Sequence, residues 1–140
     1  MSREAIVRDY LEAMAAGNLD RVLDCFTLEG RVSSPVYGGV PVADFYRQLF
    51  ADTRAASVDL KRIYMGEDAA HLAAHFHYRW ERNDGTRTHC DLVDLFDFAP
   101  GTEKIAHLTI IFDTARIGKA EGAFRRRPRT PPDPDAALRA

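Results

Sequence analysis

Residues 71–98 read HLAAHFHYRWERNDGTRTHCDLVDLFDF, two runs of alternating character separated by Asn83, Asp84 and Gly85. Side chains along a strand point to opposite faces with a period of two, so each run divides into two rows. In the first run, Leu72, Ala74, Phe76, Tyr78 and Trp80 form one row, and His71, His75 and His77 belong to the other. In the second, Cys90, Leu92, Asp94, Phe96 and Phe98 stand together, opposite His89, Asp91, Val93, Leu95 and Asp97. The turn decides how the rows join. A two-residue turn at Asp84 and Gly85 sets Asp94 across from His75 and mixes apolar with charged rows. A three-residue loop with Gly85 left-handed sets Asp94 across from Ala74 and gathers the large apolar side chains on one face. The pattern selects the three-residue loop. Asp94 then lies among Phe76, Leu92 and Phe96, where an ionised carboxylate is costly unless paired, and groups held that way often belong to functional sites.

The alternation continues on both sides of this hairpin. VDLKRIYM (58–65) precedes it and KIAHLTIIFD (104–113) follows, with turn residues at 66–68 and 100–102. These four runs read as an antiparallel meander. Upstream the period changes to that of a helix. Ile6, Val7, Tyr10, Leu11 and Met14 recur at helical spacing over residues 3–16, and Gly17 ends the run. Asn18 is placed as the N-cap of a second helix burying Leu19, Val22, Leu23 and Phe26, which Gly30 closes. RVSSPV (31–36) is a short strand ended by Pro35, and Gly38 and Gly39 form a turn. Pro41 opens a third helix with Val42, Phe45, Tyr46, Leu49 and Phe50 on one side. Three helices and a curved antiparallel sheet wrapped on them make an α+β domain. It spans residues 1–117. Residues 118–140 combine four prolines with Arg125, Arg126, Arg127 and Arg129 and read as a solvated, disordered tail.

Bulk composition narrows the function classes. The chain has 140 residues, 46% of them hydrophobic, and a formal charge of -2, which suits one soluble domain and not a nucleic-acid binder. Charges at the N-terminus break any secretory signal, and no window reaches the length of a membrane span, so a cytoplasmic protein without membrane contact is expected. The two cysteines, Cys25 and Cys90, form no CxxC pair and fall in apolar segments. No GxSxG, phosphate-binding glycine loop or HExxH motif is present.

The order of elements, with the wording VRDYLEAMAAGNLDRVLDCFTLEGRVSSPVYGG (7–39), resembles the nuclear-transport-factor-2-like superfamily, and within it the ketosteroid isomerase and SnoaL-like cyclase branch. The resemblance runs from about Ala5 to Ile117. It implies a cone-shaped, cystatin-like α+β fold in which three helices and the concave sheet face enclose one hydrophobic pocket. The ligand-binding wall would then comprise Phe26, Phe45, Phe76, Tyr78, Trp80, Leu92, Phe96, Leu108 and Phe112. In ketosteroid isomerase, the general case used to illustrate how an apolar site keeps a carboxylic acid neutral, a tyrosine and a protonated aspartate hold the substrate oxyanion while a second aspartate moves the proton. Carried over position by position, the resemblance implies that Tyr10 is the tyrosine, Asp94 the protonated acid and Tyr46 the hydroxyl that supports Tyr10. The residue preceding the first-strand proline, where the base belongs, is Ser34.

Two readings of Asp94 follow. As a neutral acid it donates to a ligand oxygen beside Tyr10. As an ionised acid it accepts from Tyr10 or Tyr46 in a purely structural network. The corresponding functions are an isomerase, cyclase or dehydratase acting on an apolar carbonyl compound, steroid-like or polyketide-like, and a catalytically silent binding or dimeric scaffold protein. No cofactor and no metal are called for. His71, His75 and His77 lie beside His89 and Asp91, a set with zinc-like spacing, but the resemblance places this face outside the cone, where related proteins form homodimers. Leu92 stands where the superfamily's epoxide hydrolases need an arginine.

Overall fold

The computed structural model describes residues 1–35 and 37–113, so the expected domain end at Ile117 and the tail lie outside the described residues. Helices α1 (Arg3–Ala15), α2 (Leu19–Asp24) and α3 (Val42–Asp52) accompany strands β1 (Phe26–Ser34), β2 (Gly38–Pro41), β3 (Thr53–Met65), β4 (His71–Arg82), β5 (Arg87–Phe98) and β6 (Ile105–Phe112). The strands form one sheet in the order β2-β1-β6-β5-β4-β3. Its inner face and the helices share a core that includes Val7, Leu11, Val22, Phe26, Phe96 and Leu108.

The hairpin has the register read from its pattern. Ala74 pairs with Asp94, Phe76 with Leu92 and Tyr78 with Cys90. The turn is closed by the Arg82 N–H on the Thr86 carbonyl at 2.9 Å, and Gly85 has φ +88. A Cβ there would meet no atom within 4 Å, so glycine answers to backbone conformation and not to crowding. Burial alternates accordingly: Leu72, Ala74, Phe76, Trp80, Cys90, Leu92, Asp94, Phe96 and Phe98 are all buried.

Several expectations are corrected. The second helix stops at Asp24, not beyond Phe26, because the Ile105 N–H takes the Cys25 carbonyl at 2.8 Å and Phe26 pairs with Ile105. Tertiary pairing with β6 overrides a local helical pattern here. Gly30 is therefore no helix terminus; it lies in the irregularity between Phe26 and Arg31, where a Cβ would approach the Phe26 ring to 3.0 Å. Gly38 and Gly39 belong to β2, paired with Ser34 and Ser33, so the turn falls just before them. The sheet is also not wholly antiparallel. β1 runs parallel to β6, a pairing invisible to a reading that follows neighbouring strands only. Finally, β3 begins at Thr53, five positions before residue 58 where alternation becomes evident.

The capping signals act as read. The Asn18 side chain accepts from the Arg21 N–H at 3.1 Å at the start of α2. Pro41 directly precedes α3, where its missing N–H costs nothing. These two helices and α1 set the depth at which Tyr10 and Tyr46 meet the sheet.

Candidate functional site

A cavity of about 80 Å³ opens between the helices and the inner sheet face. Every element but β2, β3 and α2 contributes to its wall. Tyr10 and Met14 come from α1, one helical turn apart, and Phe45, Tyr46 and Leu49 from α3. Ser34 ends β1, and Tyr37 follows in the turn. Phe76, Tyr78 and Trp80 come from β4, Leu92 and Asp94 from β5, and Ile110 and Phe112 from β6. Ten of the thirteen residues named from the sequence thus line one space. Phe26, Phe96 and Leu108 do not; they are buried behind it, with Phe26 and Phe96 packed edge-on against Tyr10 at 5.9 and 5.5 Å. Met14, Tyr37, Leu49 and Ile110 were missed. Helical spacing from Tyr10 and Tyr46, and period-two spacing from Phe112, carried the signal for three of them; Tyr37 had only the turn.

Asp94 is the one carboxylate in this wall, 2% exposed, between Ala74 on β4 and Ile110 on β6. Its Oδ1 is buried without a hydrogen-bond partner among the described residues. Burial alone pushes its carboxyl well above the ordinary aspartate range. Among the described residues no hydrogen bond from Tyr10 or Tyr46 reaches Asp94 Oδ1. Instead, the Tyr10 and Tyr46 hydroxyls hydrogen-bond each other. Both phenols are pushed up, first by burial and then by their neighbours, Asp94 among them, so both stay protonated donors. Burial likewise raises Tyr78.

Ser34 lines the cavity, and its Oγ accepts from the Tyr37 N–H at 3.1 Å, stabilising the turn into β2. The position expected for a base carries a turn-forming hydroxyl. Among the described residues, no lysine, arginine or histidine lines the cavity.

The histidines lie on the other face. Asp91 accepts from His77 Nδ1 at 2.8 Å and lies 3.6 Å from His75 Nε2, while His89 Nδ1 and His77 Nε2 are 3.2 Å apart. Among the described residues no group of three or more such side chains is arranged to hold a metal. Ser33, adjacent to Ser34 but on this outer face, bonds His107 Nε2 at 2.7 Å, and Asp97 lies 3.8 Å from the other ring nitrogen. That order mimics a catalytic triad, but β1 is paired on both sides, so the amides near Ser33 are committed to the sheet and offer no oxyanion hole.

A family model for the SnoaL-like domain matches residues 7–108. The chain belongs to the SnoaL-like domain family. No curated protein matches it. Solved structures with the same architecture include SalBIII, described as an epoxide hydrolase/cyclase-like enzyme in pyran ring formation in the polyether salinomycin (TM-score 0.71, 16% identity, 81% of this chain and 92% of that one). A ketosteroid isomerase-like protein from Catenulispora acidiphila, in complex with trimethylamine, aligns at TM-score 0.70 and 14% identity, over 84% and 92%. An LEH-like epoxide hydrolase from M. tuberculosis aligns at 0.69 and 16%, over 88% and 90%. At these identities the likeness is one of fold: this SnoaL-like domain has the α+β, NTF2-like, ketosteroid-isomerase-like architecture, with a curved, unclosed six-stranded sheet. No helix among the described residues is long and apolar enough to cross a membrane.

Proposed function

We propose that this SnoaL-like protein binds an apolar carbonyl compound, steroid-like or polyketide-like, with its oxygen held by Tyr10 and Asp94, and that its chemistry is isomerisation, cyclisation or dehydration. One observation carries this reading: a buried carboxyl with an unpartnered oxygen in the wall of an aromatic cavity that also presents a paired tyrosine hydroxyl. In such surroundings the neutral acid is favoured, and a neutral acid is a donor. The bond between the two hydroxyls can run either way; with Tyr46 as its donor, the Tyr10 hydrogen remains for the ligand. Two donors converging on one oxygen stabilise the negative charge that develops there in enolisation. At about 80 Å³ the cavity takes only the oxygen-bearing end of such a compound.

The second reading, a pocket that binds without turning over, is favoured by Ser34. A hydroxyl committed to the Tyr37 amide and lacking its own base does not abstract a proton at neutral pH. General base catalysis contributes roughly 10²- to 10⁴-fold, so donors without a base make a binder more readily than an isomerase. An epoxide hydrolase is disfavoured, because Leu92 is apolar and no arginine among the described residues reaches the wall.

The test is titration with a planar phenol or conjugated ketone, followed by tyrosine and Trp80 fluorescence, together with β,γ-unsaturated ketosteroid turnover. We expect binding by the wild type, about tenfold weaker binding in Tyr10→Phe, and slow turnover that Ser34→Asp raises. Absence of binding to every such ligand overturns the proposal.

A further inference from the structure

The same cavity has a second chemistry. Among the described residues, eight of the fourteen that line it are aromatic, the one carboxyl has an oxygen without a partner, and no cationic side chain lines it. We propose that it also takes a small alkylammonium cation, tri- or tetrasubstituted, seated against aromatic rings with the Asp94 carboxylate as counter-ion. This goes beyond the carbonyl reading, because it uses the opposite protonation state of Asp94.

Size sets the first limit. An apolar cavity of about 150 Å³ is known to take benzene, and one water molecule occupies about 30 Å³ in the liquid. At about 25–30 Å³ per heavy atom, a cavity of about 80 Å³ holds about three heavy atoms, so it takes part of a methylated ammonium head and leaves the remainder at its margin. Tetramethylammonium is the simplest such head. Its charge is spread over methyl groups, so it is weakly hydrated and attracted to ring faces, a contact that strengthens when desolvated.

Charge sets the second limit. A cation without a counter-ion is not stable in an apolar wall, and a carboxylate without one is equally costly. Together each offsets part of the other's penalty. Groups facing Asp94 from the packed elements are Tyr10 on α1, Tyr46 on α3 and Tyr78 on β4, all protonated phenols; the neighbouring β6 residue is Ile110. None supplies a competing positive charge. Arg82 already lies over the Trp80 ring, 4.2 Å from its centroid, so the added cation sits toward Asp94 and away from Trp80.

Ionising Asp94 to receive the cation releases one proton to solvent. Affinity for tetramethylammonium, whose own charge does not vary with pH, therefore rises about tenfold per pH unit until Asp94 is ionised in the free protein, then levels off. A neutral carbonyl ligand behaves oppositely, since it needs the protonated acid.

The experiment is calorimetric titration of the wild type with tetramethylammonium chloride between pH 5 and 9, in two buffers of different ionisation enthalpy, with tert-butanol as neutral control. We expect saturable binding, one proton released below the plateau, and no comparable binding of tert-butanol. Asp94→Asn, which keeps the side chain's shape and removes the charge, is expected to lose the cation at every pH. No binding at any pH, an affinity that rises with pH without proton release, or undiminished binding in folded Asp94→Asn overturns the inference. Because the proton count is read on the wild type, a variant that failed to fold leaves the test intact. Cation binding without carbonyl binding removes the previous proposal alone, and the reverse removes only this one.

Discussion

Asp94 ties stability to ligand chemistry through one buried oxygen. Its carboxyl is raised in the folded state by burial, whereas in the unfolded chain it returns to about 3.9. The contribution is therefore fully present below the unfolded value and is lost as pH rises through the folded one, at a slope of up to about 1.4 kcal/mol per pH unit. Asp91, Asp59 and Asp84, lowered respectively by His77, Lys61 and the Thr86 amide, act in the opposite sense, but equally in any variant of Asp94. The difference in melting temperature between Asp94→Asn and wild type should thus be small near pH 4 and grow in favour of the variant toward pH 8. A difference curve that is flat, or that falls, means a carboxylate held charged. The tyrosine pair supports a second prediction. Tyr10→Phe leaves the Tyr46 hydroxyl buried without its partner, costing about 1–3 kcal/mol in urea denaturation, while Tyr10→Phe with Tyr46→Phe costs less than the two single changes summed. At this scale the sequence was informative where chemistry is unusual for its row. Asp94 among phenylalanines could be found by alternation alone; the Tyr10–Tyr46 bond needed the resemblance, because a tyrosine at helical core spacing carries no mark of its partner.

The elements differ in how far local rules decide them. The β4–β5 hairpin was legible because a one-residue slip would turn Asp91 and Asp97 inward and Leu92 and Phe96 outward, so the register is penalised on both strands at once. Its turn depends on Gly85, held at φ +88 in open space. Gly85→Ala adds no clash, only the strain of an L-residue in left-handed backbone, and should cost about 1–2 kcal/mol in urea denaturation without altering ligand binding. A neutral result means the loop relaxes into another turn. The α2–β1 junction was not legible, because residues 19–26 satisfy a helical pattern that competes with pairing to a strand eighty positions later in the chain. The Ile105 amide on the Cys25 carbonyl resolves that competition in favour of the sheet. The same long-range pairing delivers Ser34 to the cavity edge.

For the whole molecule, the meander, the helices and their sharing of one apolar core follow from periodicity, whereas the parallel β1–β6 contact that brings the first strand beside the last does not. That contact leaves a broad outer face. All five histidines of the chain lie on it, together with Asp91 and Asp97, and between them Leu95 and Ile111 are 37% and 49% exposed. The sheet expends two large apolar side chains on solvent at its centre, where polar residues would fold as well. We propose that a second copy covers this face, as the resemblance implied, in a two-fold arrangement that sets Leu95 and Ile111 against their counterparts. Light scattering should then give a dimer at micromolar concentration. Leu95→Glu with Ile111→Glu places like charges across the axis and should weaken the dimer at least tenfold, about 1.4 kcal/mol, while circular dichroism and ligand titration remain those of the wild type, since neither side chain touches the cavity. A wild-type monomer overturns the proposal outright. A dimer indifferent to both glutamates places the interface elsewhere, and a variant that dissociates and also loses ligand would mean that the inner cavity depends on the outer face being covered.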